Sequence, residues 1–423
     1  MVEWNANDNE TSNTKKQIKM KTIRIAALAV IACLSVSAVS GASQEQTSCM
    51  EKELSKYVKS GELPGAISIL IDGERKDVAC LGYADPEKKT PVTLDTPYMQ
   101  CSQTKGFCGV TIAILVEEGK IKLDDPVSKY LPEFKTLWIE KKGKNGERVL
   151  VKAKNTLTVR MVMNHTGGFL FELPNYKEMG GWSRRMPLRS VAATASTVPL
   201  LFEPGKGMRY SNIGIDIGAA VVEAVSGMRW EEFLKKRVLD PLGMKDTTFR
   251  PTDEQLGRRL WLYGCVKGKP ARRVVATREM NMPFGDDRVF PSAGAGLWIT
   301  ARDQIKFYSM LMNLGLGENG VRILKEETVK SILAKSTRPK RMGGYSLGLT
   351  APEKDREDSW FGHGGAHGTN CMVNWHKKRL KLWAVQLRDN PRPWDKVREN
   401  VAKKFFKSEL DTAGEKAYTG RLN

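Results

Sequence analysis

The sequence predicts an α/β (α+β) protein: an antiparallel sheet flanked by helices, with an all-helical region inserted between the strands at its two ends. Three observations carry this reading. Two strand-like runs, 66–71 and 77–83, flank Asp72-Gly73 near the start of the chain. Strand-like alternation returns over 373–387, and the stretch between holds long apolar runs of the kind that form buried helices. With 423 residues, 41% of them hydrophobic, the chain has enough apolar material for a large core.

The elements follow in order. Residues 1–42 read as an N-terminal extension and signal peptide. Lys21 and Arg24 form a basic flank, 25–39 is apolar but shorter than the ~20 residues of a bilayer span, and Ser40-Gly41-Ala42 supplies small residues for cleavage. The polar residues 1–19 fit an over-extended start, with Met20 as the initiator. A retained anchor is the rival, and Val30-Ile31-Ala32-Cys33 leaves lipid attachment at Cys33 open. The expected location is outside the cytoplasm, periplasmic or secreted.

Residues 48–410 form the main domain, with its sheet part drawn from about 48–100 and 280–410 and its helical part from 101–279; 411–423 is a tail. Within it, 107–118 is apolar enough for a buried helix ending at Gly119. Runs 138–142 and 148–154 flank Asn145-Gly146 and predict a lysine-rich surface hairpin. Helices are expected over 213–225, 230–238 and 305–314, and a basic amphipathic helix over 397–410 closes the domain.

Charge and cysteines narrow the function classes. Lys and Arg number 68 against 48 Asp and Glu, a net charge of +20. The basic residues are spread along the chain without an RNP, helix-turn-helix or zinc-finger signature, so nucleic acid is not the expected partner; an anionic envelope surface is compatible. The 7 cysteines contain no C-x-x-C, and H-E-x-x-H is absent, so no metal or cofactor is expected. On one helix Cys101 and Cys108 would sit about 10 Å apart along the axis, too far for a bridge.

The chemistry starts at 99–107, MQCSQTKGF, where Ser102 precedes Lys105 by three residues. That spacing puts both on one helical face, near a helix N-terminus whose field favours an oxyanion. A desolvated lysine there loses proton affinity and can accept the serine proton. The bland alternative is a capping serine beside a solvated lysine, and the same spacing recurs at Ser12–Lys15 in a polar stretch. Tyr210-Ser211-Asn212 ends a turn-rich loop and is the only Tyr-x-Asn triplet; its phenol can shuttle a proton and its amide can fix polar groups. A third element, 361–369, is FGHGGAHGT, whose glycines suggest backbone close to a ligand. Gly344-Tyr345-Ser346-Leu347-Gly348 matches G-x-S-x-G, but Pro352 and the lack of a following helix argue against a nucleophile elbow.

Taken in order, these three elements resemble the serine β-lactamase and penicillin-binding-protein superfamily, specifically its class C-like and esterase-like branch. Linking phrases from about residue 50 to 390 strengthen the likeness: 119–127, Asn164-His165-Thr166-Gly167-Gly168, Pro241-Leu242-Gly243-Met244 and 293–297. The resemblance implies an acylated nucleophile at Ser102, a proton-transfer pair in Lys105 and Tyr210, and a substrate-orienting amide at Asn212. It implies that His363-Gly364-Gly365 lies on the strand beside the site, where many relatives have Lys-Thr-Gly, and that the N–H groups of Ser102 and Ala366 form the oxyanion hole.

Three positions depart from the superfamily pattern. His363 replaces a lysine that helps to bind a substrate carboxylate, and imidazole is mostly uncharged near neutral pH. Gly167 stands where serine is common, and Asn374-Trp375-His376 replaces an Asp-Pro-type turn. His165, His367 and His376 are expected to be structural. The expectation is an exported serine hydrolase acting through an acyl-enzyme on an ester or amide. The alternatives are a D-alanyl-D-alanine carboxypeptidase or β-lactamase acting on peptidoglycan peptides or β-lactams, and, from another class, a non-catalytic envelope-binding protein.

Overall fold

A computed structural model describes residues 48–174, 186–266, 268–273, 290–339, 342–388 and 392–406. The N-terminal extension, Cys33 and the C-terminal tail lie outside the described residues. From Ser48 onward the chain forms one compact unit.

Helix α1 (Cys49–Lys59) opens it, capped by the Ser48 hydroxyl, which accepts from the Met50 and Glu51 N–H groups. Asp77 anchors this cap, accepting from the Ser48 hydroxyl and the Cys49 N–H, both at 2.8 Å. The chain then makes β1 (Gly65–Asp72) and β2 (Arg75–Asp85), joined at Gly73, whose φ of +62° suits a tight turn. Strand β3 (Thr90–Pro91) ends this first part of the sheet.

Near the other end of the chain lie β10 (Phe361–Gly364), β11 (Asn370–Asn374) and β12 (Arg379–Ala384). All six strands join in one sheet of order β10-β11-β12-β1-β2-β3, antiparallel throughout. The register pairs Ile67 with Ala384 and Ile71 with Leu380. Because β1 is central, both of its faces are buried, which explains its apolar run, interrupted only by the buried Ser68. Ile67, Ile69 and Ile71 face the main core; Ala66 and Leu70 face a second cluster with Met50, Leu54 and Trp394.

The strand-like run 373–387 holds the end of β11 and all of β12. Asn374 ends β11 by accepting the Lys377 N–H on its side chain, and Lys378 turns the chain with φ +50°. The 101–279 stretch is mainly helical but also carries two ribbons, β5 (Trp138–Lys142) with β6 (Arg148–Lys152), and β7 (Tyr263–Val266) with β8 (Lys269–Arg273).

The helices of this region are α2 (Thr104–Glu117), α3 (Val159–Met163), α4 (Leu188–Ser196), α5 (Asn212–Ser226) and α6 (Trp230–Leu234), of which α2 and α5 carry side chains of the site. Helix α2 is apolar on all sides and buried from Thr104 to Leu115. Phe107 stacks on Phe307 of α7 (Ala301–Met312), with ring centroids 3.7 Å apart. The Trp230 indole N–H donates to Thr111 Oγ1 at 3.1 Å and ties α6 to α2. The closing helix α8 (Asp395–Phe406) lays Phe405 and Phe406 into the second cluster.

Candidate active site

Ser102 lies in a short tight turn, Cys101–Gln103, that feeds directly into α2. Its neighbour Cys101 has φ +51°, a left-handed conformation that costs a non-glycine residue about 1–2 kcal/mol. Such strain at the approach to a reactive side chain holds that side chain in one direction. Thr104 fixes the turn from inside: its hydroxyl donates to Cys101 O at 2.7 Å and accepts the Leu297 N–H at 3.2 Å. Ser102 keeps 6% of its surface exposed.

Lys105 is fully buried, and its Nζ has three oxygen neighbours. Asn212 Oδ1 and Gly294 O each lie 2.6 Å away, and Ser102 Oγ lies at 3.2 Å. Burial pushes the lysine down to about 7, against the upward pull of Asp216 and Glu172. The proton count follows. A neutral amine has two N–H bonds and one lone pair. Asn212 Oδ1 and the Gly294 carbonyl can only accept, so they take the two N–H bonds and the lone pair is left for Ser102.

That arrangement is itself braced. The Asn212 NH₂ donates to Glu172 Oε1 at 2.6 Å, which fixes its amide with the oxygen towards Lys105. The Asn212 oxygen thus serves the lysine, while its NH₂ keeps a second N–H beyond the one given to Glu172. Gly294 must be glycine here, because a Cβ would fall 2.8 Å from Asn212 Cβ. Asp216, one turn along α5, accepts the Gly294 N–H at 3.2 Å and completes the cradle.

Tyr210 places its ring under the Lys105 ammonium, with Nζ 4.7 Å from the ring centroid. His165 holds that tyrosine from behind. Its carbonyl accepts the Arg209 N–H at 3.0 Å and its Nδ1 accepts the Ser211 N–H at 3.3 Å, gripping the chain on both sides of Tyr210. The two rings pack 4.4 Å apart, and His165 bends to φ +66° to make these contacts. Burial, with Arg338 and Lys105 nearby, drives the His165 imidazole well below its ordinary range.

The third element brings β10 beside the turn, where the Gln103 side chain donates to His363 O at 3.1 Å. His363 lies on that strand with its ring fully buried and both nitrogens engaged. The Gly364 carbonyl, 2.6 Å from Nδ1, can only accept, so Nδ1 carries the proton. Nε2 must then accept from the Tyr345 hydroxyl at 2.9 Å. Burial, with Lys105 adding to it, pushes this imidazole down to about 3, so it is neutral at any physiological pH. Gly365 donates its N–H to Thr369 O, and exposed Ala366 forms the turn beyond it. The His367 and Ala366 N–H groups face the Cys101 thiol, which burial nevertheless pushes up to about 12.

Comparison with known proteins decides the family. The beta-lactamase family model matches residues 50–393. The chain belongs to the beta-lactamase family. Protein Rv1367c of Mycobacterium tuberculosis is 28% identical over 355 residues, covering 77% of this chain and 86% of that protein. Two solved structures share the fold. EstCE1, a hydrolase with promiscuous acyltransferase activity, has a TM-score of 0.64 at 21% identity and covers 84% of this chain and 97% of its own. Simvastatin synthase (LovD) from Aspergillus terreus reaches 0.67 at 21% identity, covering 88% and 98%. The fold is thus that of the beta-lactamase-related serine hydrolases.

Within this beta-lactamase-family site, the structure brings Ser102, Lys105, Tyr210 and Asn212 together, with 363–366 alongside. The sequence gives no role to Glu172, Asp216, Gly294, Tyr345 and Arg338, whereas His165, expected to be structural, braces Tyr210. Gly294 and His165 sat inside the linking phrases; Glu172 carried no signal. The Arg338 guanidinium lies 4.5 Å from the Tyr345 ring centroid, and its Nε donates to Asn164 O at 2.6 Å. His367 and His376 serve packing and surface contacts: His367 donates from Nδ1 to Gln386 Oε1 at 3.1 Å, and His376 stacks on Trp375.

Proposed function

We propose that this protein is an exported serine hydrolase that forms an acyl-enzyme on Ser102, with carboxylate-free esters as its preferred acyl donors. The observation that carries the reading is the Lys105 environment: an amine near pKa 7 whose N–H bonds are taken by Asn212 and Gly294, leaving its lone pair for Ser102. Neutral Lys105 takes the hydroxyl proton as Ser102 Oγ attacks the acyl carbon. The tetrahedral oxyanion rests on the Ser102 N–H and on the Ala366 N–H, which turns to it from the neighbouring Cys101 thiol. Lys105, through Tyr210, returns the proton to the departing alkoxide as the C–O bond breaks. A water then repeats the sequence on the acyl-enzyme and releases the acid. General acid–base assistance of this kind is worth roughly 10²–10⁴-fold.

The ester preference is supported by His363, which supplies neither a charge nor an open nitrogen where relatives use a lysine for carboxylate binding. A carboxypeptidase or β-lactamase reading is favoured by one observation, Arg338. Its half-buried guanidinium makes no ion pair among the described residues and lies close enough to lower the His363 proton affinity. Export is supported by the basic flank and apolar run of 20–39.

The test is intact mass after exposure to a fluorophosphonate, a short-chain p-nitrophenyl ester and a penicillin, with Ser102→Ala as control. Fluorophosphonate and ester adducts on the wild type, absent in Ser102→Ala, are expected. Stable penicillin labelling with slow ester turnover would favour the second reading, and adducts that persist in Ser102→Ala would refute both.

A further inference from the structure

The β5–β6 ribbon and the segment beside it make a three-stranded patch whose two faces differ. Ile139 pairs in parallel with Leu200, and both point into the core at 2% and 0% exposure. The alternate positions therefore point outward. On that outer face lie three large apolar side chains, Trp138 at 43%, Leu150 at 51% and Leu201 at 45% exposure. They account for three of the eight large hydrophobic side chains that stand exposed among the described residues. The register pairs Trp138 with Lys152, Glu140 with Leu150 and Lys142 with Arg148, which puts cations on both flanks of the apolar row.

From 138 to 154 the chain carries Lys141, Lys142, Lys144, Arg148, Lys152 and Lys154, all exposed. Within that span only Glu140 and Glu147 oppose them, and Glu203 meets its end by accepting the Lys154 N–H at 2.9 Å; Glu140 pairs with Arg148 at 2.5 Å, and the five lysines have no ion pair among the described residues. We propose that this outer face docks the enzyme on an anionic lipid bilayer, with Trp138, Leu150 and Leu201 entering the headgroup region and the lysines binding lipid phosphates. Tryptophan and leucine beside a polybasic rim match the chemistry of a membrane interface, where an indole settles at headgroup depth and each cation adds to surface attraction. A second copy of this chain does not fit, because two such basic faces would repel. A nucleic acid would use the cations but leave the exposed Leu150 and Leu201 side chains without a role.

The experiment uses the chain from Ser48, which forms one compact unit, with vesicles of phosphatidylcholine alone or with 30% phosphatidylglycerol. Cosedimentation should show binding to the anionic vesicles only, weakened at least tenfold between 0.05 and 0.5 M salt. Trp138→Ala should lower vesicle affinity about fivefold or more. The charge-reversed variant Lys142→Glu/Lys144→Glu/Lys152→Glu should abolish binding. Ester turnover should be unchanged in both, which certifies their folding. Brominated lipid should quench fluorescence in the wild type more than in Trp138→Phe, reporting insertion of this indole. Equal vesicle binding by wild type and all variants would overturn the proposal. So would binding to a single-stranded oligonucleotide in place of vesicles, or a mass in solution that falls to monomer only in the variants.

Discussion

Two serines sit in hydrolase-like sequence patterns, and the structure gives them opposite surroundings. Ser102 stands on a strained turn with a buried amine 3.2 Å away and part of its surface open. Ser346 is fully buried, and its hydroxyl donates to the Ile332 carbonyl, with no hydrogen bond to a basic side chain among the described residues. The chain after Ser346 does not become a helix; Thr350 bridges to Gly362 on β10. Yet the Ser346 loop is not idle. Leu347 and Leu349 press on α2 at Gly109 and Gly106, and Tyr345 holds His363. The lesson is that a nucleophile is defined by an adjacent lone pair and an open face, and that the second serine belongs to the wall supporting the first.

The largest expected effect breaks the comparison directly. Ser102→Ala should cut ester turnover by at least about 10³-fold, while Ser346→Ala should leave kcat/KM within about twofold. Steady-state kinetics on both folded variants check this, and the reverse result would reassign the nucleophile. Next, Lys105→Ala and Tyr210→Phe should each slow acylation by roughly 10²–10⁴-fold, with the double variant falling little further. Single-turnover kinetics would show separate proton paths if the losses multiplied.

His165 sharpens the comparison on the Ser102 side. Asparagine tolerates a positive φ and offers an oxygen where Nδ1 accepts the Ser211 N–H; phenylalanine keeps the ring and loses the acceptor. His165→Asn should therefore retain more acylation than His165→Phe, by about tenfold, with KM unchanged. Equal losses would mean that His165 only fills space. On the Ser346 side the effects fall on stability. Gly109→Ala places a Cβ 1.8 Å from Leu347 O and should cost about 1–3 kcal/mol by urea denaturation. Ser346→Ala, losing one buried hydrogen bond, should cost about 1 kcal/mol.

Much of this was legible in the sequence because the information is local. The Asp72-Gly73 hairpin, the apolar α2 and the Ser102–Lys105 spacing each follow from short-range pattern. The 373–387 run reads as strand material but hides the break in it, because β11 and β12 are both buried and the Asn374 turn between them contains no glycine or proline. The site's bracing was illegible for a different reason: Glu172, Asp216 and Gly294 act on Lys105 across 67, 111 and 189 positions of sequence. The surroundings of His363 are the most instructive case. Its place beside the site follows from the glycine-rich phrase, but Tyr345, which occupies its Nε2, comes from a motif set aside for another reason.

The central claim is that Lys105, neutral above about pH 7, is the base for Ser102, and the pH dependence of the acylation rate tests it most directly. His165, His363 and His367 are all held below their ordinary range, the last two at about 3 and about 4, so no buried histidine of the site titrates near neutrality. Protonated Lys105 has no lone pair, so the rate should rise with pH through a single limb centred near 7 and level off above it. Lys105→Ala should retain only a slow rate without that limb. A wild-type limb centred near 4–5, or a limb at 7 that survives in Lys105→Ala, would contradict the account.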